Sequence, residues 1–312
     1  MKKNLLFTLA LLFCTGFMFA QNSSDVKSTG DANSTNANQV GANFSTMTQV
    51  GDANVANAVQ DGTNTGLQLQ EGSDNTADIN QTGLLNLTSQ TQGDAGTENM
   101  AAAIQDGDNN EIIQEQRRNQ NSATAEQLGD GNFADQIQNN GAAGGGQIAI
   151  VDQEGNDNRS LQRQRQGSDN LAGTLQLGDM NNAIEVQIGN ENMSGIYQEG
   201  DGNRSRVKQT GDSNSSGAYG TEGVVQIGDE NRAFVNQTGD GNGSTVLQGA
   251  FGVVASTNLA TVDQIGNDNS SMVEQLTDEN TADVLQSGDT NSSDMLQPVS
   301  YTHLTLPTIC SV

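Results

Sequence analysis

The sequence predicts an all-β fold: a β-solenoid of stacked two-strand rungs, about 22 residues per rung, with parallel, in-register sheets. Three observations carry that prediction. The pattern Q-x-G-x-x-N occurs fourteen times, and fifteen of the 22 intervals between successive repeat glutamines from Gln39 to Gln297 are eleven residues long. The segments between motifs alternate with period two, as in Asn203-Arg204-Ser205-Arg206-Val207-Lys208-Gln209, which is the pattern of a strand with one face buried. From Gln68 to Glu185 one inward column is polar in every second unit (Gln68, Gln90, Gln114, Gln136, Gln162, Glu185), while the units between carry Ile79, Ala103, Ala125, Val151 and Thr174. Two units therefore make one turn.

From the N-terminus, residues 1–20 read as a signal peptide, with Lys2 and Lys3, an apolar run and Ala20 at the cleavage position. The chain is thus expected to be secreted. Residues 21–27 read as a short linker, 28–297 as the repeat solenoid and 298–312 as a non-repeat tail. That tail, PVSYTHLTLPTICSV, holds both prolines, the only histidine and Cys310, and reads as translated adapter sequence, a sequencing artefact. Without Lys2 and Lys3 the exported chain sets ten basic side chains against 38 acidic ones, a formal charge of −28, which argues against nucleic acid as a partner. No stretch after the signal is apolar enough to span a membrane. Aromatic residues are 4% of the chain and Trp is absent, so one large conventional core is excluded and burial has to be shared among rungs. Disulfides contribute nothing to the repeats, because both cysteines lie outside them.

Within each unit the motif assigns a structural ladder and an arc. The ladder glutamines are Gln49, Gln70, Gln81, Gln105, Gln127, Gln153, Gln176, Gln187, Gln198, Gln209, Gln226, Gln237, Gln264 and Gln286. The ladder asparagines are Asn54, Asn75, Asn86, Asn110, Asn132, Asn158, Asn181, Asn192, Asn203, Asn214, Asn231, Asn242, Asn269 and Asn291. Stacked in register, each amide is expected to donate to its copy on one side and accept from its copy on the other. The chain reverses at Gly51, Gly72, Gly83, Gly107, Gly129, Gly155, Gly178, Gly189, Gly200, Gly211, Gly228, Gly239, Gly266 and Gly288, where glycine tolerates positive φ. Insertions after Gln92, Gln138, Gln164 and Gln209 fall on one class of arc by parity, and the one after Gln248 does not.

Repeated this often, Q-x-G-x-x-N followed by five residues and another Gln resembles the curlin repeat of curli fibre subunits, over residues 28–297. The resemblance implies a structural subunit of extracellular functional amyloid, a cell-surface fibre (fimbrium) serving biofilm matrix and cell adhesion. It also implies three partners: further copies of the chain, a surface nucleator and a dedicated outer-membrane secretion pore. Imperfect units, such as those with Arg118 or Thr277 in the glycine position, leave open whether the chain is a major or a minor subunit.

Catalysis is not expected, since no nucleophile, base and preorganised pocket can be assembled from these residues. Neither a cofactor nor a metal site is expected. The GDGN sequences at Gly129, Gly200 and Gly239 lack the nine-residue cycle of calcium-binding repeats. The alternative reading is a soluble, secreted β-solenoid binding module, for a ligand, calcium or ice, that does not polymerise. Arg159, Arg204 and Arg232 share one outward column, with Arg163, Arg206 and Lys208 beside them. These cations are expected to keep sheets from piling up or to contact matrix polysaccharide. Asp179, Asp201 and Asp229 are expected to stack along one edge, and Asp212 and Asp240 along the other, where like charges repel and hold the chain soluble.

Overall fold

The computed structural model describes residues 21–139, 145–217, 223–249, 254–298 and 303–306. The expected signal peptide lies outside them. The chain winds about twelve turns of roughly 22 residues with no helix among the described residues, and each strand pairs with the strand one full turn on. Sheet I comprises Ser23–Thr29, Phe44–Val50, Glu111–Arg117, Phe133–Asn139, Arg159–Arg165, Asn182–Ile188, Arg204–Thr210, Arg232–Thr238, Leu259–Ile265, Thr281–Ser287 and His303–Leu306. Sheet II comprises Ser34–Gly41, Met100–Asp106, Ser122–Leu128, Ile148–Glu154, Leu171–Leu177, Met193–Glu199, Ser215–Ser216 with Val224–Ile227, Gly243–Gln248, Ser270–Gln275 and Ser292–Gln297. Two long strands turn the corner without a break and serve both sheets: Val55–Ser73 supplies sheet II of rung 2 and sheet I of rung 3, and Thr76–Thr97 supplies sheet II of rung 3 and sheet I of rung 4. All pairings are parallel, and motif residue faces motif residue throughout: Gln187 pairs Gln209, and Gln209 pairs Gln237.

Counting from the N-terminus, Ser23–Thr29 and Ser34–Gly41 form rung 1. Arg159–Arg165 and Leu171–Leu177 form rung 7, and Thr281–Ser287 and Ser292–Gln297 form rung 12. Two assignments differ from the sequence expectation at the ends. Residues 21–27 are not a linker, because Ser23–Thr29 pairs residue for residue with Phe44–Val50. Its signal is weak because Ser28 stands where later rungs have Gln. Within the expected tail, His303–Leu306 pairs with Thr281–Val284, as one more parallel strand.

The expectation that the insertion after Gln209 sits on an arc is also corrected. Gly211 to Asn214 make an ordinary arc, and the extra residues interrupt the following strand of sheet II, whose halves Ser215–Ser216 and Val224–Ile227 both pair with Met193–Glu199. Parity of spacing cannot separate an arc insertion from a strand interruption, since both lengthen the same interval.

The interior is narrow. Small residues fill one column on sheet II (Ala56, Ala77, Ala101, Ala123, Ala149, Ala172), which lets the two sheets approach closely. Its second column differs along the rod. Up to rung 8 sheet I supplies Gln68 to Glu185 there; beyond it Val207, Val235, Val262 and Val284 face Val224, Val246 and Val273 in one aliphatic cluster. Each such side chain contributes about 1.5–3 kcal/mol by leaving water.

The arc glycines answer to two constraints. All fourteen have φ between 104° and 129°. A methyl group on Gly178 would also overlap the carbonyl oxygen of Gly200 one rung on, and the same holds at nearly every arc. The residue before each Asn adopts a second left-handed conformation, at φ near 57° for Met180 and Glu230, and this is the site that glycine occupies in GDGN at Gly131, Gly202 and Gly241. The GDGN sequences thus relieve backbone strain. Gly202→Ala should therefore cost about 1 kcal/mol, the left-handed penalty alone, whereas Gly178→Ala, which meets main chain, should cost several times more. Denaturant unfolding of the two variants checks the ordering.

Candidate functional site

The ladders are the site, and they are built from side chains that meet their own copies. All fourteen predicted glutamines are buried, as are thirteen of the fourteen asparagines; Asn291, in the last rung, is half-buried. On sheet I, Nε2 of each Gln donates to Oε1 of the next from Gln49 through Gln286, at 2.8–3.0 Å. On sheet II the same chain runs from Gln39 to Gln297 at 2.7–3.0 Å. These runs include Gln92, Gln116, Gln138, Gln164, Gln248 and Gln275, which lie outside the full motif and are betrayed only by the eleven-residue spacing. Every bond points toward the C-terminus. The cause is a second acceptor: Nε2 also donates across the core to a main-chain carbonyl of the opposite sheet, as Gln187 does to Leu171 at 2.8 Å, so the oxygen must face the other way.

The asparagines make the expected amide-to-amide bond in many rungs, as from Asn75 Nδ2 to Asn54 Oδ1 at 3.1 Å, Asn203 to Asn181 at 3.1 Å and Asn242 to Asn214 at 2.9 Å. Most of them also grip the main chain of the next rung with both ends of the amide, an addition the sequence expectation lacked. Asn181 Nδ2 donates to the Gly200 carbonyl at 2.7 Å, and its Oδ1 accepts the Asn203 N–H at 3.0 Å. The same pair recurs at Asn54, whose Nδ2 donates to Gly72 and whose Oδ1 accepts from Asn75. Glycine and asparagine of the motif are therefore one device: the bare Cα lets the next carbonyl in, and the amide binds it. Arg118 supplies that carbonyl in place of Gly, bonding Asn99 Nδ2 and adopting φ 70°.

The arc carboxylates also have partners. Asp201 Oδ1 accepts the Asp179 N–H at 2.9 Å, Asp229 accepts from Asp201 at 2.9 Å, and Asp240 accepts from Asp212 at 2.8 Å. Asn156, Asn190 and Asn267 occupy the same place in other rungs with the same bond. The stacked carboxylates thus contribute a third rail, which the sequence expectation of bare repulsion missed. Among the described residues, no group of three His, Cys, Asp or Glu side chains comes together in a way that could hold a metal ion.

The third glutamine column ends on Glu185. Gln68, Gln90, Gln114, Gln136 and Gln162 pass Nε2 to Oε1 at 2.9–3.0 Å, and the last donates to Glu185 Oε1 at 2.9 Å. Thr174 Oγ1 donates to the same oxygen at 2.7 Å and Ser194 Oγ to the other. The next residue in the column is Val207, which can accept nothing. A carboxylate, having acceptors only, therefore terminates a one-way ladder where the amide-filled half of the rod meets the aliphatic half. Burial pushes its pKa up to about 7 against the three side-chain hydrogen bonds that favour the ionised form.

No protein-family model and no curated protein matches the chain.

The raised carboxyl predicts a pH dependence. The folded chain holds this proton more tightly than the unfolded chain, so the contribution to stability is full below about 4.5, fades as pH rises, and is lost above about 7. Across that window the loss is roughly 3 kcal/mol. Glu185→Gln should restore it at pH 8 and flatten the pH profile of the unfolding midpoint between pH 4.5 and 8, because a glutamine there continues the column.

Proposed function

We propose that this chain is a structural subunit of an extracellular, curli-like amyloid fibre, growing by addition of rungs end to end, for biofilm matrix and cell adhesion. The observation that supports the reading most is the polarity of the ladders with open ends. Among the described residues, Ser23–Thr29 and Ser34–Gly41 pair on one side only, as do Ser292–Gln297 and His303–Leu306. The sheet II ladder starts at the open edge with Gln39 in rung 1, whereas the sheet I ladder starts one rung in, at Gln49, whose Oε1 is buried with no donor because Ser28 stands before it. Exposed edges of this kind template further strands. Since every glutamine points its donor one way, the acceptor end of one copy matches the donor end of another, a head-to-tail contact that does not close and so makes filaments. Secretion through an outer-membrane pore and initiation on a surface nucleator complete the proposal, and both follow from the curlin-repeat resemblance.

Two outcomes test it. Purified residues 21–298 should assemble after a lag into dye-binding fibres with reflections near 4.7 and 10 Å; a stable monomer that never fibrillises would instead favour a soluble binding module. Exchanging Asp179, Asp201 and Asp229 for Asn retains each Oδ1 acceptor and removes three stacked charges, so the lag at pH 7 should shorten. Exchanging them for Ala removes the bond as well and should lower the stability of the finished fibre to denaturant.

A further inference from the structure

The charges on the two outer faces are segregated. Among the described residues, every basic side chain on a strand points outward from sheet I, and the outer face of sheet II carries none. Seven of these cations lie within four rungs. Rung 7 presents Arg159, Arg163 and Arg165; rung 9 presents Arg204, Arg206 and Lys208; rung 10 adds Arg232, and rung 8 between them is aliphatic at Ile184, Val186 and Ile188. No carboxylate shares this face over the four rungs. Only Arg163 has an ion-pair partner, Asp135 at 3.6 Å on the neighbouring rung 6. The other six are cations on an acidic rod with no carboxylate within 4.0 Å among the described residues.

The complement of this patch is on the same molecule. Sheet II over rungs 3 to 6 turns Asp78, Asp106, Glu126, Asp152 and Glu154 outward, again with no opposite charge on that face. The two patches cannot meet within one rod, because they face opposite directions and are offset along its axis. We propose that sheet I of rungs 7–10 docks on sheet II of rungs 3–6 of a second copy lying parallel alongside. The displacement is four rungs, or about 19 Å.

That displacement is favoured by charge. It sets five carboxylates under seven cations, whereas zero displacement offers one, Glu199. It also lays Asp263 of rung 11 over the uncharged face Leu171, Gly173, Leu175 and Leu177 of rung 7. Two like-charge approaches remain, Asp135 over Asp61 and Asp283 over Glu199, the first offset by Arg163 beside Asp135. The four-rung displacement is the one that covers all five carboxylates, while a three-rung displacement keeps four of them, Asp106, Glu126, Asp152 and Glu154; charge therefore decides which faces meet and confines the stagger to a few rungs. Because each rod offers both faces, the contact is heterologous and extends into ribbons.

The pairing requires rods and does not require end-to-end growth, so it is tested in both states. Soluble chain at low salt is scored by sedimentation for side-by-side dimers, and fibres, where they grow, are scored for width by electron microscopy. Arg204, Arg206 and Lys208 changed together to Glu should weaken lateral association on the order of tenfold or more and give single thin filaments, with dye-monitored elongation unchanged. Added salt should do the same to the wild type. Mixing that variant with one in which Asp106, Glu126 and Glu154 are Lys should restore pairing between the two chains, which excludes misfolding as the cause. Unchanged width in the first variant, or no rescue in the mixture, overturns the proposal. So does a wild type that stays single while retaining an acidic polysaccharide that the variant releases, because the patch is then a glycan site.

Discussion

A buried primary amide has two donors and an acceptor to satisfy, and leaving one unpaired costs about 1–3 kcal/mol. A chain that places an amide in every strand of a core this narrow can meet that demand in few ways, and parallel stacking of identical rungs is the one adopted here. The choice binds the rest of the structure. Register cannot slip by one residue without driving every glutamine to the solvent face. Rungs must be of near-constant length, and departures are confined to arcs or to a local interruption such as the one between Ser216 and Val224, where pairing resumes in the original register. Even the glycines follow from it, since the arc carbonyl that each asparagine binds occupies the space where a side chain would begin.

What the chain reveals before folding is the part governed by period. Eleven-residue spacing locates the strands, alternation sorts inward Ser205 and Val207 from outward Arg204 and Arg206, and the odd-even contrast between Gln162 and Val151 places two strands in a turn. What it conceals is the part governed by direction and by main chain. Nothing in the letters tells that Asn181, besides meeting its copy Asn203, binds the Gly200 carbonyl on the next rung, whereas Gln187, besides meeting its copy Gln209, reaches across the core to Leu171; the difference arises from one methylene of reach. The strand at Ser23–Thr29 is equally hidden: its backbone hydrogen bonds are ordinary, but with Ser28 in the ladder position it lacks the residue by which a strand is recognised here. The left-handed site before each asparagine holds Met, Glu, Ser and Asp as well as Gly, so composition does not announce it.

A one-way ladder has to end somewhere, and the two kinds of ending differ in consequence. At Glu185 the column closes inside the molecule on a group that accepts and does not donate, and the rod then continues on valines that need no partner. The main glutamine ladders have no such internal stop. The sheet II ladder runs from Gln39 in rung 1 to Gln297 in rung 12 and the sheet I ladder from Gln49 in rung 2, next to Ser28, to Gln286 in rung 12, with nothing apolar between, so on sheet II the demand for a further donor or acceptor is carried to both ends. Closing this column internally uses a buried carboxyl with its pKa near neutrality, whereas carrying a ladder to the end leaves its demand open there, which is the feature the proposed head-to-tail growth rests on.

The same division explains why the outer faces are free to vary. Inward positions and arcs are fixed by stacking, rung upon rung, and hold Gln, Asn, Gly, small residues and, in part of the core, aliphatic ones. Outward positions take no part in any ladder, so charge can be distributed there without disturbing the core. Stacking along the axis and the outer faces are therefore specified by separate sets of residues, as the proposed growth and pairing both require. A substitution at Arg206 changes what a rod meets sideways and leaves its own rungs intact, while one at Gln209 changes how it stacks and leaves its faces as they were. On a molecule whose axial contacts repeat every rung, position along the rod is marked mainly by the faces, and the cations of rungs 7 to 10 are the mark that the proposed pairing uses.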